Sequence, residues 1–149
     1  MEGTKSVALI IDEISAFENK KIVNAKITDT RITMEEHGVL TFYVFLEGKG
    51  FHCGLGGYCI GVGYLGADDD FAADNGGGLV AMMNIMNVVG VEVWEKLKGK
   101  YCRVVRPEWG ETVTTIGNLI DDKWFDVKKF FETYVKKEKN ENGDRKEAL

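Results

Sequence analysis

The chain has 149 residues, 44% of them hydrophobic and 11% aromatic, which is enough apolar material for one buried core without staples. Its formal charge of −5 argues against a phosphate-backbone binder, which needs a clustered basic surface. The three cysteines, Cys53, Cys59 and Cys102, form no CxxC pair, and no window approaches the roughly 18 uninterrupted apolar residues of a membrane span. A disulfide framework, a zinc ribbon and a membrane protein are excluded on these grounds, and the expectation is a reduced, cytoplasmic protein.

Residues 1–20 read as an N-terminal extension. Val7, Ile10, Ile11, Ile14 and Phe17 recur at helical spacing, although residues 8–11 fit an edge strand as well. From Ile22 the period becomes two and β-branched residues are dense through Ile32, which predicts a half-buried strand. After a polar turn at Glu35, Glu36, His37 and Gly38, residues 39–47 carry Leu40, Phe42, Val44 and Leu46 on one face and Thr41, Tyr43 and Phe45 on the other. The two segments read as an antiparallel hairpin, and apolar residues on both faces of the second strand predict that it is central.

Residues 48–78 hold eleven of the eighteen glycines, so residues 51–60 form either a bulged strand or part of a long loop. Asp68 to Ala73 reads as an exposed acidic turn. Leu79, Met82, Met83, Met86 and Val89 then define one face of a helix, with Asp74 or Asn75 near its N-cap and Gly90 at its end. A short second helix carries Val91, Trp94 and Leu97 and stops at Gly99. Residues 101–105 and 112–120 read as paired strands around a turn at 106–110, and Asp126 caps a helix with Val127, Phe130, Phe131, Tyr134 and Val135 on its apolar face. Residues 138–149 are almost wholly polar and read as a disordered tail. The expected architecture is α+β: four to five antiparallel strands with two or three helices on one face of a single domain spanning residues 21–137.

Few motifs carry chemistry. Residues 61–66 spell GxGxxG, but they run into Asp68, Asp69 and Asp70 rather than opening a helix, so a dinucleotide site is not expected. His52 and Cys53 are adjacent and point to opposite faces of a strand, which prevents one from activating the other. Asp68, Asp69, Asp70 and Asp74 are weak metal candidates without an EF-hand register, and neither a metal nor a cofactor is expected. The residues that stand out for binding are aromatic and basic. Tyr58, Tyr64 and Phe71 lie in the glycine-rich segment, Trp109 lies in the turn beside Pro107, and Arg103 and Arg106 are near enough in sequence to meet an anion or to pair with Glu108 or Glu111.

The segments IVNAKITDT (22–30), EHGVLTF (36–42), GLGGYCI (54–60), VGVEVWEKLKGKYCRV (89–104) and IGNLIDDKWF (116–125) resemble a group of small uncharacterised bacteriophage and prophage proteins, over residues 21–131. The resemblance brings no activity or site residues. It implies a small accessory protein of the host cytoplasm that binds a host factor, including components or nucleotide signals of bacterial defence. The expectation is therefore a non-enzymatic, counter-defence binding protein acting on a host protein, with a homo-oligomer as one possible state. The alternative is a protein that binds or sequesters a nucleotide-like ligand, less readily a small hydrolase. Direct nucleic-acid binding and membrane binding are not expected.

Overall fold

A computed structural model describes residues 22–35, 38–64 and 77–133, the side chains of 61–64 excepted. The expected N-terminal extension, acidic turn and polar tail lie outside the described residues. The elements are β1 (Ile22–Thr33), β2 (Val39–Gly48), β3 (Phe51–Tyr64), helix α1 (Gly77–Val89), a 3₁₀ turn (Trp94–Leu97), β4 (Tyr101–Val105), β5 (Thr115–Gly117) and β6 (Trp124–Asp126), followed by a helical segment at 127–133.

All six strands form one antiparallel sheet in the order β3-β2-β1-β4-β5-β6. The α+β class is as expected from the pattern, but the strands among the described residues number six rather than four to five. The additional one, β6, is three residues long and too short to show an alternation. The strand expected at 112–120 shrinks to Thr115–Gly117 because Asn118 ends it: its Oδ1 accepts the backbone N–H groups of Ile120 and Asp121 at 2.9 and 2.8 Å, closing a side-chain turn.

Paired residues share a face, so the register separates core from outside. Phe42, Val44 and Leu46 of β2 are fully buried, as are Ile27 of β1, Leu55 of β3, Cys102 and Val104 of β4 and Ile116 of β5. Each such apolar side chain contributes about 1.5–3 kcal/mol by leaving water. The central placement of β2, between β1 and β3, agrees with its apolar pattern. Both of its neighbours are bulged. In β1 the register slips around Thr28, whose hydroxyl donates to the Phe45 carbonyl at 3.3 Å. In β3 it slips at Gly56 and Gly57, which take φ of +127° and +80°. A Cβ on Gly56 would lie 2.5 Å from the Phe42 carbonyl oxygen, so the glycine there is what lets the bulge close.

These bulges coil the sheet. The Val113 N–H, just before β5, donates to the Gly54 carbonyl of β3 at 3.2 Å, although β3 and β5 stand first and fifth in the strand order. The sheet has therefore curled until its two sides meet, and α1 touches β3 on one side and β5 and β6 on the other, closing the end of the core.

The buried face of α1 differs from expectation. Ala81, Met82, Ile85 and Val88 are buried, whereas Leu79 and Met83 are 53% and 67% exposed. Nearly every residue of the helix is apolar, so spacing alone cannot choose the face. Backbone packing does: a Cβ on Gly78 would lie 2.1 Å from the Cys59 carbonyl oxygen, so the first turn is pressed against β3 and the rotation of the rest follows. The helix stops as expected at Gly90, φ +93°, whose N–H and that of Val91 both reach the Met86 carbonyl.

Candidate functional site

The expected binding residues separate into three groups. Arg106 and Trp109 come together. The loop between β4 and β5 stands across from the tip of the β2–β3 hairpin, and the open cleft between them, about 840 Å³, is lined by His52, Cys53, Arg106, Glu108, Trp109 and Glu111 among others. Trp109 is completely exposed on this loop. Gly50 at the hairpin tip has φ +82°, and a Cβ there would sit 3.1 Å from an Arg106 guanidinium nitrogen, so the bare glycine leaves room for that arginine. Cys53 faces the core side of β3, and burial pushes its thiol up despite the Val113 backbone N–H, which pulls the other way. A thiol held protonated is a poor nucleophile.

Arg103 and Tyr58 serve the fold instead. Arg103 lies over the Trp124 ring and donates from Nε to the Asn118 carbonyl at 2.7 Å and from Nη2 to the Asp121 carbonyl at 2.8 Å. It forms no ion pair with Glu108 or Glu111. Tyr58 stacks on Phe131 with ring centroids 4.0 Å apart and planes within 10°, and its other neighbour is Phe42. Burial, with Asp126 and Glu132 nearby, pushes the Tyr58 phenol above its ordinary value. A linear sequence does not reveal which aromatic or arginine has a partner waiting across the sheet.

Of the remainder, Tyr64 pairs with Val39 through its backbone. Phe71, Asp68, Asp69, Asp70 and Asp74 lie outside the described residues. Among the described residues no group of three His, Cys, Asp or Glu side chains is placed to hold a metal ion.

A second surface was missed. On the face of the sheet opposite the core, Tyr43 and Phe45 of β2 stack with centroids 5.9 Å apart and planes within 13°. Arg31, paired with Tyr43 across β1, holds its guanidinium carbon 5.6 Å from the Phe45 ring centre. Lys26 stands over Tyr101 at 5.8 Å on the same face. The signal in the sequence is the second apolar face of β2, which a central strand and an exposed aromatic surface share.

No family model, curated protein or solved structure matches the chain.

Proposed function

We propose that this is a non-enzymatic binding protein whose cleft between the β4–β5 loop and the β2–β3 hairpin takes a nucleotide-like ligand. The observation that carries the reading is that a wholly exposed Trp109 and Arg106, three residues apart on one loop, both line the cleft. An indole face offers stacking to a planar base, and a guanidinium offers a forked donor to phosphate. Glu108 and Glu111 supply acceptors for ribose hydroxyl or base amino groups, while their charge sets a limit on how many phosphates the cleft tolerates.

A host-protein partner is the second reading, favoured by the same tryptophan, because an exposed Trp beside an Arg is also the composition of an interface anchor. Intrinsic fluorescence separates the two. Trp94 and Trp124 are buried, so quenching by added nucleotide reports on Trp109. The expected result is saturable quenching by one or more nucleoside phosphates that disappears in Trp109→Phe and weakens in Arg106→Gln. An unchanged spectrum across nucleoside mono- and triphosphates, from protein that melts cooperatively, rejects the nucleotide reading and leaves the protein partner.

A further inference from the structure

We propose that the outer face of β1 and β2, beside β3, is a second binding surface and that its ligand is single-stranded nucleic acid. Tyr43 and Phe45 supply the stacking platform, and Arg31 and Lys26 supply the phosphate contacts. The proposal shares with the cleft reading only the chemistry of a base and a phosphate; its residues are different.

The platform follows from strand geometry. Residues two apart on a strand project from the same face about 6.8 Å apart, and here both are aromatic, with rings nearly parallel. Their partners in β3 are Gly54 opposite Phe45 and Gly56 opposite Tyr43. Neither carries a side chain, and Gly57 next to them is also bare. A Cβ at Gly57 would come 3.3 Å from the Tyr43 ring and one at Gly54 would come 3.9 Å from Phe45, so any larger residue there would project over the aromatics. The glycines that the bulge requires thus add no side chain from β3 over the two rings.

Charge does not oppose the same ligand locally, although the whole chain is acidic. The described residues hold eleven Lys and Arg and eleven Asp and Glu, so the acidic excess belongs to other parts of the chain. On this face Asp29 is engaged at 3.8 Å by Lys98, and Arg31 reaches the exposed Glu35 at 3.8 Å, a contact of little strength in water. Glu47 lies beside His52 in the register and across from Lys26, which sets the end of the favourable stretch. The expectation of no nucleic-acid contact rested on total charge, and total charge does not describe this surface.

Aromatic rings with interleaved cations recognise unpaired bases, whose faces are free; in a duplex the bases are already stacked.

The test is fluorescence anisotropy of a labelled oligothymidylate of roughly twelve nucleotides, long enough to cover a single-strand-binding surface, at about 50 mM salt where phosphate contacts are strong. Saturable binding is expected, with Tyr43→Ala and Phe45→Ala each weakening it about tenfold and Arg31→Gln reducing the salt dependence by close to one phosphate. Circular dichroism melts confirm that the variants fold, and Arg31→Gln, an exposed change, serves if either aromatic variant does not. Absence of binding by the folded wild type, equal binding of a matched duplex, or binding indifferent to all three substitutions overturns the proposal. Oligonucleotide binding abolished by Trp109→Phe alone rejects this surface and leaves the cleft. Binding that depends on Tyr43, Phe45 and Arg31, with no mononucleotide quenching of Trp109, rejects the cleft and leaves this surface.

Discussion

Arg103 lays its guanidinium over Trp124, 4.8 Å from the ring centre, and so buries a tryptophan on the outer face of the sheet. Trp124 can lie flat there because its partner across β5 is Gly117: a Cβ at that position would come within 2.4 Å of the indole. The indole N–H is satisfied by Asp122 at 2.7 Å, and the rest of the Arg103 fork holds the 118–121 turn. Gly117→Ala is therefore expected to lift the ring off the sheet and cost roughly 3 kcal/mol, at the upper end for overpacking. Arg103→Lys keeps the charge but loses the planar fork, and is expected to cost about 1–2 kcal/mol. Urea denaturation with an unchanged slope checks both, and Gly117→Ala as stable as the wild type would contradict the packing described.

Gly78 inside α1 and Gly90 just past its end make a matched pair. Gly78 has no room for a side chain, while Gly90 has nothing within 4 Å but a φ of +93°. Gly78→Ala is expected to push α1 off β3 and destabilise by more than about 2 kcal/mol through displaced packing. Gly90→Ala is expected to cost only the left-handed backbone penalty of about 1 kcal/mol. Thermal melts of the two proteins rank them, and a reversed order refutes steric control of the helix rotation.

The Cys102 thiol is pushed up to about 12 by burial. A group whose folded value exceeds its ordinary value of 9.0 adds stability below that value and loses it as pH rises towards the folded one. Between pH 9 and 12 this single thiol is expected to erode stability with a slope approaching about 1.4 kcal/mol per pH unit. Tyr58, also raised, adds to the loss above pH 10. Cys102→Ala is less stable at neutral pH because of its cavity but flattens the alkaline limb. Denaturation midpoints measured against pH in both proteins test this, and parallel limbs would remove Cys102 as a cause.

Asn118 couples three elements. Its Nδ2 donates to the Val88 carbonyl at the end of α1 at 2.8 Å, while its Oδ1 accepts the turn N–H groups of Ile120 and Asp121. Asn118→Ala leaves these groups without protein partners and is expected to cost about 2 kcal/mol. Hydrogen exchange locates the effect: protection is expected to fall in the last turn of α1 and at 120–121, and uniform loss across the sheet would show that the contact has no local role.

Much of the scaffold was legible from local pattern. Alternation placed β1, and apolar residues on both faces of β2 made it central; Gly90 marked a helix end; Asp126 accepts the Lys129 N–H at 2.9 Å as the expected cap. Such features need only neighbours in sequence. What a side chain meets across the sheet is a different matter, and there local pattern was silent. Tyr58 and Arg103 have the composition of binding residues yet are spent on Phe131 and Trp124, while Tyr43 and Phe45 have the composition of a core strand yet line an outer face.

By itself, then, the sequence determined the antiparallel hairpins, the stop of α1 at Gly90, the Asp126 cap and the α+β class, because period, glycine and cap chemistry act over a few residues. Only the tertiary structure decided which face of α1 is buried and which aromatics face outward. It also decided that Arg106 and Trp109 share a cleft with the hairpin tip. Those outcomes depend on sheet curl and on close approaches such as Gly78 to Cys59, which join residues far apart in the chain.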